Sequence, residues 1–537
     1  MENKDYYGIT VGPISHTINL TSSPGGLWMA SFLFSYIVKK LVKKLTVAGV
    51  EVLIPTLEDE NQSSKVGSYP DHIIFSGEIE GNKINSIINE VKEEIASMLF
   101  ECWEKSNEGN DEYNESSVKD YINKYINIYC VKVGNLNGDE IFCEVSKFLD
   151  NLELSRNYIH QDNAFFLELY SGEEERKNEY IKNFLEVIKE KENVRSQVRV
   201  NRNGRIKKID EIAKIDGNED RKINDYYAII FADGDNMTTT FASLNDDKKN
   251  DNDDKKNNDK KVINFSAACL KYTKKCAELI GDYGGVTIFA GGDDLLFLAP
   301  LANQNDKTLF DLFDEIRKEF VDSLLEKNDE TDNDNKKSEE TKNEPTVSFG
   351  VAITYKKFPI YEGLQLAQTM LFDYAKTDPK NNLAIKLSKA SGQTIGLIFN
   401  NDSKSLEIFK KILKNYFIKD NTDESRKRVH SVIYLLEKYE DLFDVALDKG
   451  EEAIKNFFIN MYDNPTQTRY KEFIDEIIEL YKAINEDRKN NKFKQLKDEK
   501  KNKLEDKKTK NILSGVLRLA KFYIETKEWA KWQRNIE

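Results

Sequence analysis

Two acidic signatures stand out along the chain. The stretch Phe231-Ala232-Asp233-Gly234-Asp235-Asn236 ends one apolar run, Tyr226 to Phe231, and Gly291-Gly292-Asp293-Asp294 sits between two others, Val286 to Ala290 and Leu295 to Ala299. Carboxylates at the tips of neighbouring buried strands are costly unless something neutralises them. Two divalent cations would do so, and would also stabilise in-line phosphoryl transfer. The first reading is therefore nucleotidyl transfer, with Asp233, Asp293 and Asp294 sharing Mg²⁺ or Mn²⁺, whose coordination shell takes one or two protein carboxylates alongside phosphates and waters. Gly291 and Gly292 would let the backbone approach a phosphate with no side chain in the way. A GGDD turn by itself is equally an ordinary hairpin. Its value comes from the strand-DGDN segment that precedes it in the same folding unit.

Other residues add to the set. Lys376, at the end of a helix, could meet triphosphate oxygens as a point charge, or act only as a partner of the helix dipole. Asn236 could bond a base or ribose, or form a turn. Gly25-Gly26 opens a buried helix, where a phosphate could dock or the chain could merely break. Asp71, followed by His72, stands on the acceptor side of the expected cleft and could hold a cationic amine; an Asp after Pro is otherwise a turn residue. The sequence contains no Walker-type loop, no GxSxG and no His-Asp dipeptide, so a P-loop NTPase, an α/β-hydrolase and a His-Asp phosphohydrolase are not expected.

The elements that must position these residues follow a repeated order. Strand 6–14, helix Leu27–Leu45, strands Val50–Ile54 and His72–Phe75, helix 82–104 and strand Ile126–Val133 read β-α-β-β-α-β, the ferredoxin-like arrangement. The order recurs as strand Tyr226–Phe231, helix Asn264–Ile280, the GGDD hairpin, helix Leu309–Leu325 and strand Thr346–Thr354, then a further helix Ile360–Lys376. The expected class is α+β, with two ferredoxin-like palms plus helical linker and C-terminal domains. The boundaries are 1–135 for the first palm without acidic signature, 136–222 for the mainly helical inter-palm domain, 223–400 for the second palm, and 401–537 for the helical C-terminal domain. Segments 245–261 and 326–344 are low in complexity and expected as solvated surface loops, since they cannot offset their ordering entropy by burial.

Bulk properties narrow the field. The 537 residues are 39% hydrophobic and 32% charged with formal net charge -14, a balance that suits a folded multidomain protein and not a non-specific nucleic-acid binder. Any RNA contact would need a local basic patch or partner subunits, and the Lys-rich stretch 489–510, interleaved with acids, reads as a solvated helix face. The five cysteines include no CxxC pair and fit reduced thiols. With no leader pattern, and with the apolar stretch Leu27–Val38 too short to span a bilayer, a soluble cytoplasmic protein with no membrane partner is expected.

Taken together, the motifs resemble the large, polymerase-like subunit of type III-B (Cmr-type) CRISPR effector complexes. YYAIIFADGDNM looks like the first catalytic strand of that family's second palm, IFAGGDDLLFLAP its catalytic hairpin, and VSFGVAITYKKFPIYEGLQLAQTMLFDYAK the strand and helix that follow. SGQTIG at 391–396 fits the next strand; PGGLWMASFLFSYIV and GSYPDHIIF resemble the buried helix and third strand of the first palm. The chain opens directly in that palm, so the form lacking the HD nuclease domain is expected. The resemblance implies an antiviral effector subunit that, when the complex binds target RNA, transfers AMP from ATP to a 3′-hydroxyl and makes a nucleotide second messenger. It implies Asp233, Asp293 and Asp294 as metal ligands and catalytic residues, and Lys376 at the triphosphate. It also implies the other subunits of a type III ribonucleoprotein, with its CRISPR RNA and target RNA, as partners. The product is either cyclic oligoadenylate or, with S-adenosylmethionine as second substrate, a SAM–AMP conjugate; Asp71 on the acceptor side leans toward the latter. A non-catalytic scaffold and a diguanylate-cyclase-like enzyme are the alternatives.

Overall fold

In the computed structural model the described residues are 5–57, 66–106, 113–134, 141–154, 164–171, 174–192, 207–214, 222–237, 254–324, 345–419, 423–461, 468–490 and 509–525. Two sheets form the frame. The first is built from β1 (Tyr6–Gly12), β2 (Glu51–Ile54), β3 (His72–Ser76) and β4 (Asn127–Val133) in the order β2-β3-β1-β4, every neighbouring pair antiparallel. The second holds β5 (Tyr226–Asp235), β6 (Val286–Gly291), β7 (Asp294–Pro300), β8 (Thr346–Tyr355), β9 (Asn382–Ser388) and β10 (Thr394–Asn400) in the order β10-β9-β8-β5-β7-β6. Its β8-β5-β7-β6 part repeats the topology of the first sheet, so the two ferredoxin-like palms read from the sequence are both present.

The period of two along β5 explains how the halves join. Tyr227 and Ile229 point to one face, where they share a core with Leu27, Leu33 and Ile37 of the buried helix Pro24–Val47 in the first palm. Ala228, Ile230 and Ala232 point to the other, against Tyr272 of helix Asp254–Tyr283 and Phe313 of helix Leu309–Leu324. Strand β6, at the edge of the second sheet, is covered by the first palm: Gly67 bridges Phe289, and Ala290 N donates to Gly67 O at 3.0 Å.

The structure departs from the sequence reading in several places. Helix Asp254–Tyr283 begins inside the Asn/Asp/Lys run expected as a surface loop. Its Asp259 is 2% exposed and accepts a hydrogen bond from the Tyr6 hydroxyl, a long-range partner that composition cannot reveal. Helix Glu115–Tyr125 was not anticipated; an Asn114 capping box starts it, with the Asn114 side chain accepting from Ser117 N. The single helix expected over 360–376 is α-helical over Ile360–Thr369 and widens to π over Met370–Ala375. Strand β9, also unanticipated, pairs parallel with β8 and antiparallel with β10. Gly25 and Gly26 lie within the helix, whose N-cap Ser23 accepts from Gly26 N, and both are buried. Residues 245–253, 326–344 and 491–508 lie outside the described residues. Helices fill the linker and the C-terminal part, and helix Thr509–Ile524 packs its Phe522 ring edge-on to Tyr226 at the start of β5. No helix among the described residues is long and apolar enough to cross a membrane.

Candidate active site

Strand β5 runs antiparallel to β7, with Ala232 opposite Leu295, so the C-terminal tip of β5 emerges beside the β6–β7 turn. That turn is a two-residue loop, Gly292-Asp293, closed by the pair Gly291 and Asp294. Gly292 has φ 67°, the left-handed value that the first position of a type II′ hairpin requires. A Cβ on Gly292 would meet nothing within 4 Å, so the backbone here is open to an approaching group. Gly291 is glycine for another reason. A Cβ there would come within 2.7 Å of the Phe289 ring and 3.3 Å of Pro70 N, in the first palm.

The three sequence-expected ligands meet. Asp233, Asp293 and Asp294 each offer a carboxylate oxygen, and these oxygens lie within 4.8 Å of one another. Asp233 and Asp293 are half-buried and Asp294 is exposed. Gly234 makes the approach possible, because a Cβ at that position would fall 2.7 Å from Asp293 Oδ2. The electrostatics are those of carboxylates crowded together. Burial, then the charge of Asp233, pushes the Asp293 carboxyl up to about 7. Burial raises Asp233 against the pull of Lys376. Asp294 is raised well above the usual range by the surrounding protein and then by Asp293 and Asp233, although its side chain reaches solvent. Carboxylate oxygens with no sulfur or imidazole among them fit a hard cation such as Mg²⁺ or Mn²⁺.

Lys376 follows the π turn and comes directly into this cluster. Its Nζ is 3.0 Å from Asp233 Oδ1 and 3.2 Å from Asp235 Oδ1, and it donates to Gly234 O. Burial opposes its charge, but Asp233 and Asp235 outweigh that and hold it protonated. Asp235 was not among the sequence-expected site residues. It is fully buried, and its Oδ2 accepts from Thr346 Oγ1 and Ser348 Oγ at 2.8 Å each and from Asn381 N at 3.0 Å. Asn236 has φ 61° and accepts from Lys380 Nζ at 3.4 Å, which makes it a turn residue that also places a second ammonium near Asp233. Lys380 was also missed; it follows the end of the helical segment, just after Pro379, and no local sequence signal marks it.

Asp71 sits across from the hairpin, on the first palm, close enough for its charge to act on Asp294. It forms a second group with His72 and Glu153, their donor atoms within 4.8 Å of one another. His72 Nε2 is 3.3 Å from Glu153 Oε1, and Thr10 Oγ1 donates to the same oxygen. Burial disfavours the His72 charge, but Glu153, Asp71 and Asp150 together raise its pKa above the ordinary value. Glu153 lies on helix Ile141–Leu154, 82 positions after Asp71, and nothing local in the sequence marks it.

Residues 226–384 match the family described as Cas10/Cmr2, second palm domain. The chain is 28% identical over 183 residues to the CRISPR system Cmr subunit Cmr2 of Pyrococcus furiosus, a match that takes in 31% of this chain and only 19% of that protein. Among solved structures it is similar to a chain of the type III-B Cmr-beta complex in the apo state, with TM-score 0.50, 10% identity and coverage of 85% of this chain and 77% of that one. It is also similar to a chain of the Csm1-Csm4 cassette in complex with cA4, with TM-score 0.50, 12% identity and coverage of 97% and 70%. At these identities the two structures bear on the fold alone, and they agree with the two-palm architecture.

Proposed function

We propose that this chain is the large, palm-bearing subunit of a type III CRISPR effector, acting in the cytoplasm with other protein subunits, CRISPR RNA and target RNA. Its second palm transfers AMP from ATP to the 3′-hydroxyl of an acceptor when target RNA is bound. The observation that carries this reading is the convergence of Asp233, Asp293 and Asp294 from two strands onto one spot. The second-palm match over residues 226–384 supports it.

The roles follow from placement. Asp233, Asp293 and Asp294 would hold divalent metal, and Gly292 leaves the backbone clear for a phosphate. When bound, such ions neutralise the triphosphate and favour in-line attack on the α-phosphorus. Lys376 and Lys380 supply mobile ammonium groups on the same side for the β- and γ-phosphates. In the balanced step the acceptor 3′-oxygen bonds to the α-phosphorus, the bond to the β-phosphate oxygen breaks, pyrophosphate departs and the hydroxyl proton is released.

The acceptor side favours a cationic partner. Asp71 faces the hairpin from the first palm, with Glu153 and His72 grouped beside it, and a carboxylate there suits an ammonium or sulfonium better than a second triphosphate. S-adenosylmethionine has both cations, so a SAM–AMP conjugate is the expected product, with cyclic oligoadenylate the competing outcome.

The assembled complex, target RNA and labelled ATP, incubated with and without SAM and resolved by mass, tests this. A conjugate formed only with SAM is expected; oligoadenylate without SAM overturns the acceptor assignment. Replacing Asp293 and Asp294 together by Ala should cut product by about 100-fold or more while assembly persists. Undiminished product would sink the catalytic reading, and loss of metal-dependent ATP binding in the wild type would leave a scaffold.

A further inference from the structure

We propose that Asp235 is a positioning residue that keeps Lys376 as an exchangeable stand-in cation at Asp233. The ammonium yields Asp233 to a divalent ion, yet stays tethered beside the site to meet a phosphate. This rests on the metal-dependent reading of the aspartate cluster.

The two aspartates that flank Gly234 live in different surroundings. Asp235 is fully buried, and three donors fix one of its oxygens: the hydroxyls of Thr346 and Ser348 on β8, and the amide of Asn381 just before β9. That carboxylate is riveted across two strands and has no room to swing. Its other oxygen, Oδ1, faces Lys376 Nζ at 3.2 Å. Asp233 is half-buried at the edge of the open tip and shares its oxygen set with Asp293 and Asp294.

Lys376 therefore meets three oxygens of two kinds, donating to Gly234 O and pairing by charge with Asp233 and Asp235. Asp235 and the Gly234 carbonyl are fixed and lie outside the metal-ligand group, whereas Asp233 belongs to it. An ammonium 3.0 Å from Asp233 Oδ1 competes with any cation for that oxygen. When Lys376 leaves Asp233 it keeps two partners, so the move costs it little and leaves its charge within the site. By linkage, whatever draws the ammonium away from Asp233 raises the affinity of the cluster for metal, and metal frees the ammonium. The chemistry also explains why residue 235 is Asp and not Asn. An amide could turn its oxygen to the three donors, but its NH₂ would then face Lys376, and the full ammonium charge would fall on Asp233.

Mn²⁺ titration of the full chain without nucleotide, following free Mn²⁺ by electron paramagnetic resonance, reads this directly. Lys376→Gln is expected to bind Mn²⁺ about tenfold tighter than wild type and Asp235→Asn about tenfold weaker, as close charges couple by this much. In the double variant, Asp235→Asn should cost no more than about threefold relative to Lys376→Gln alone, because its effect runs through the lysine. An equal loss in both backgrounds, or no gain in Lys376→Gln, overturns the proposal. If Asp235→Asn does not fold, Ser348→Ala loosens the anchor and should weaken Mn²⁺ binding about threefold only when Lys376 is present; no such difference also overturns it. Asp293→Asn is the control: if it binds Mn²⁺ as wild type does, the metal-cluster reading itself fails, separately from the role of Asp235.

Discussion

At the scale of single residues, the site depends on what is missing as much as on its carboxylates. Gly234 lies between two aspartates and directly under a third, with Asp293 Cβ 2.9 Å from where its own Cβ would stand. Gly234→Ala would push the hairpin tip away from Asp233. Its backbone φ is not in the left-handed region, so the cost falls on the site and not on the strand. We expect Mn²⁺ affinity to drop about tenfold or more, while thermal stability changes by no more than about 1 kcal/mol. Titration and calorimetry on the same sample separate the two effects. The acidic triad was legible in the sequence because each aspartate ends or starts an apolar run, where a charge has no business without a partner. Asp235 was not read as a fixed anchor, because its meaning comes from Thr346, Ser348 and Asn381, more than a hundred positions away.

At the scale of elements, Lys376 is only as well placed as the helix that delivers it. Helix Ile360–Thr369 and its π continuation lie on β8 over Gly350, where a Cβ would fall onto Leu371 N and Ala367 O and within 2.6 Å of Leu371 Cβ. These are backbone and near-backbone atoms that cannot turn aside. Gly350→Ala should lift the helix and destabilise the protein by about 1–3 kcal/mol, as overpacked cores do. It should also raise KM for ATP, because Lys376 and Lys380 move with that segment. Unchanged KM together with an unchanged melting temperature would contradict this packing. Downstream, Asn382 pins the same segment by donating to Ala375 O at 2.9 Å and Thr377 O at 3.3 Å. The helix itself was evident from its apolar spacing. Its π turn and the parallel β9 behind it were not, since both are settled by what they pack against.

At the scale of the whole molecule, the two palms share one hydrophobic core, and a first-palm loop lies along the free edge of the GGDD hairpin. Gly67, on that loop, is packed against the first palm's own buried helix. A Cβ there would meet Ser31 Oγ at 3.1 Å, Ser31 O at 3.2 Å and Ser35 Cβ at 3.2 Å, while Tyr69 N donates to Ser35 Oγ at 2.9 Å. The same loop leads into Asp71, so its seating sets the distance between Asp71 and the GGDD hairpin. Gly67→Val is expected to cost about 1–3 kcal/mol of stability and to raise KM for the acceptor more than KM for ATP. Equal changes in both KM values would mean that the loop supports the fold without setting the acceptor site.

The sequence alone determined the two β-α-β-β-α-β units and singled out Asp233, Asp293 and Asp294, the three carboxylates that converge. Both follow from local rules: side-chain periodicity against a core, and the cost of a charge at the end of a buried strand. Tertiary structure alone decided that Glu153 joins Asp71 and His72, that Asp235 is locked while Asp233 stays near the open tip, and that Lys376 rests between them. Those facts depend on which distant strands and helices become neighbours, and at that range spacing along the chain carries no information.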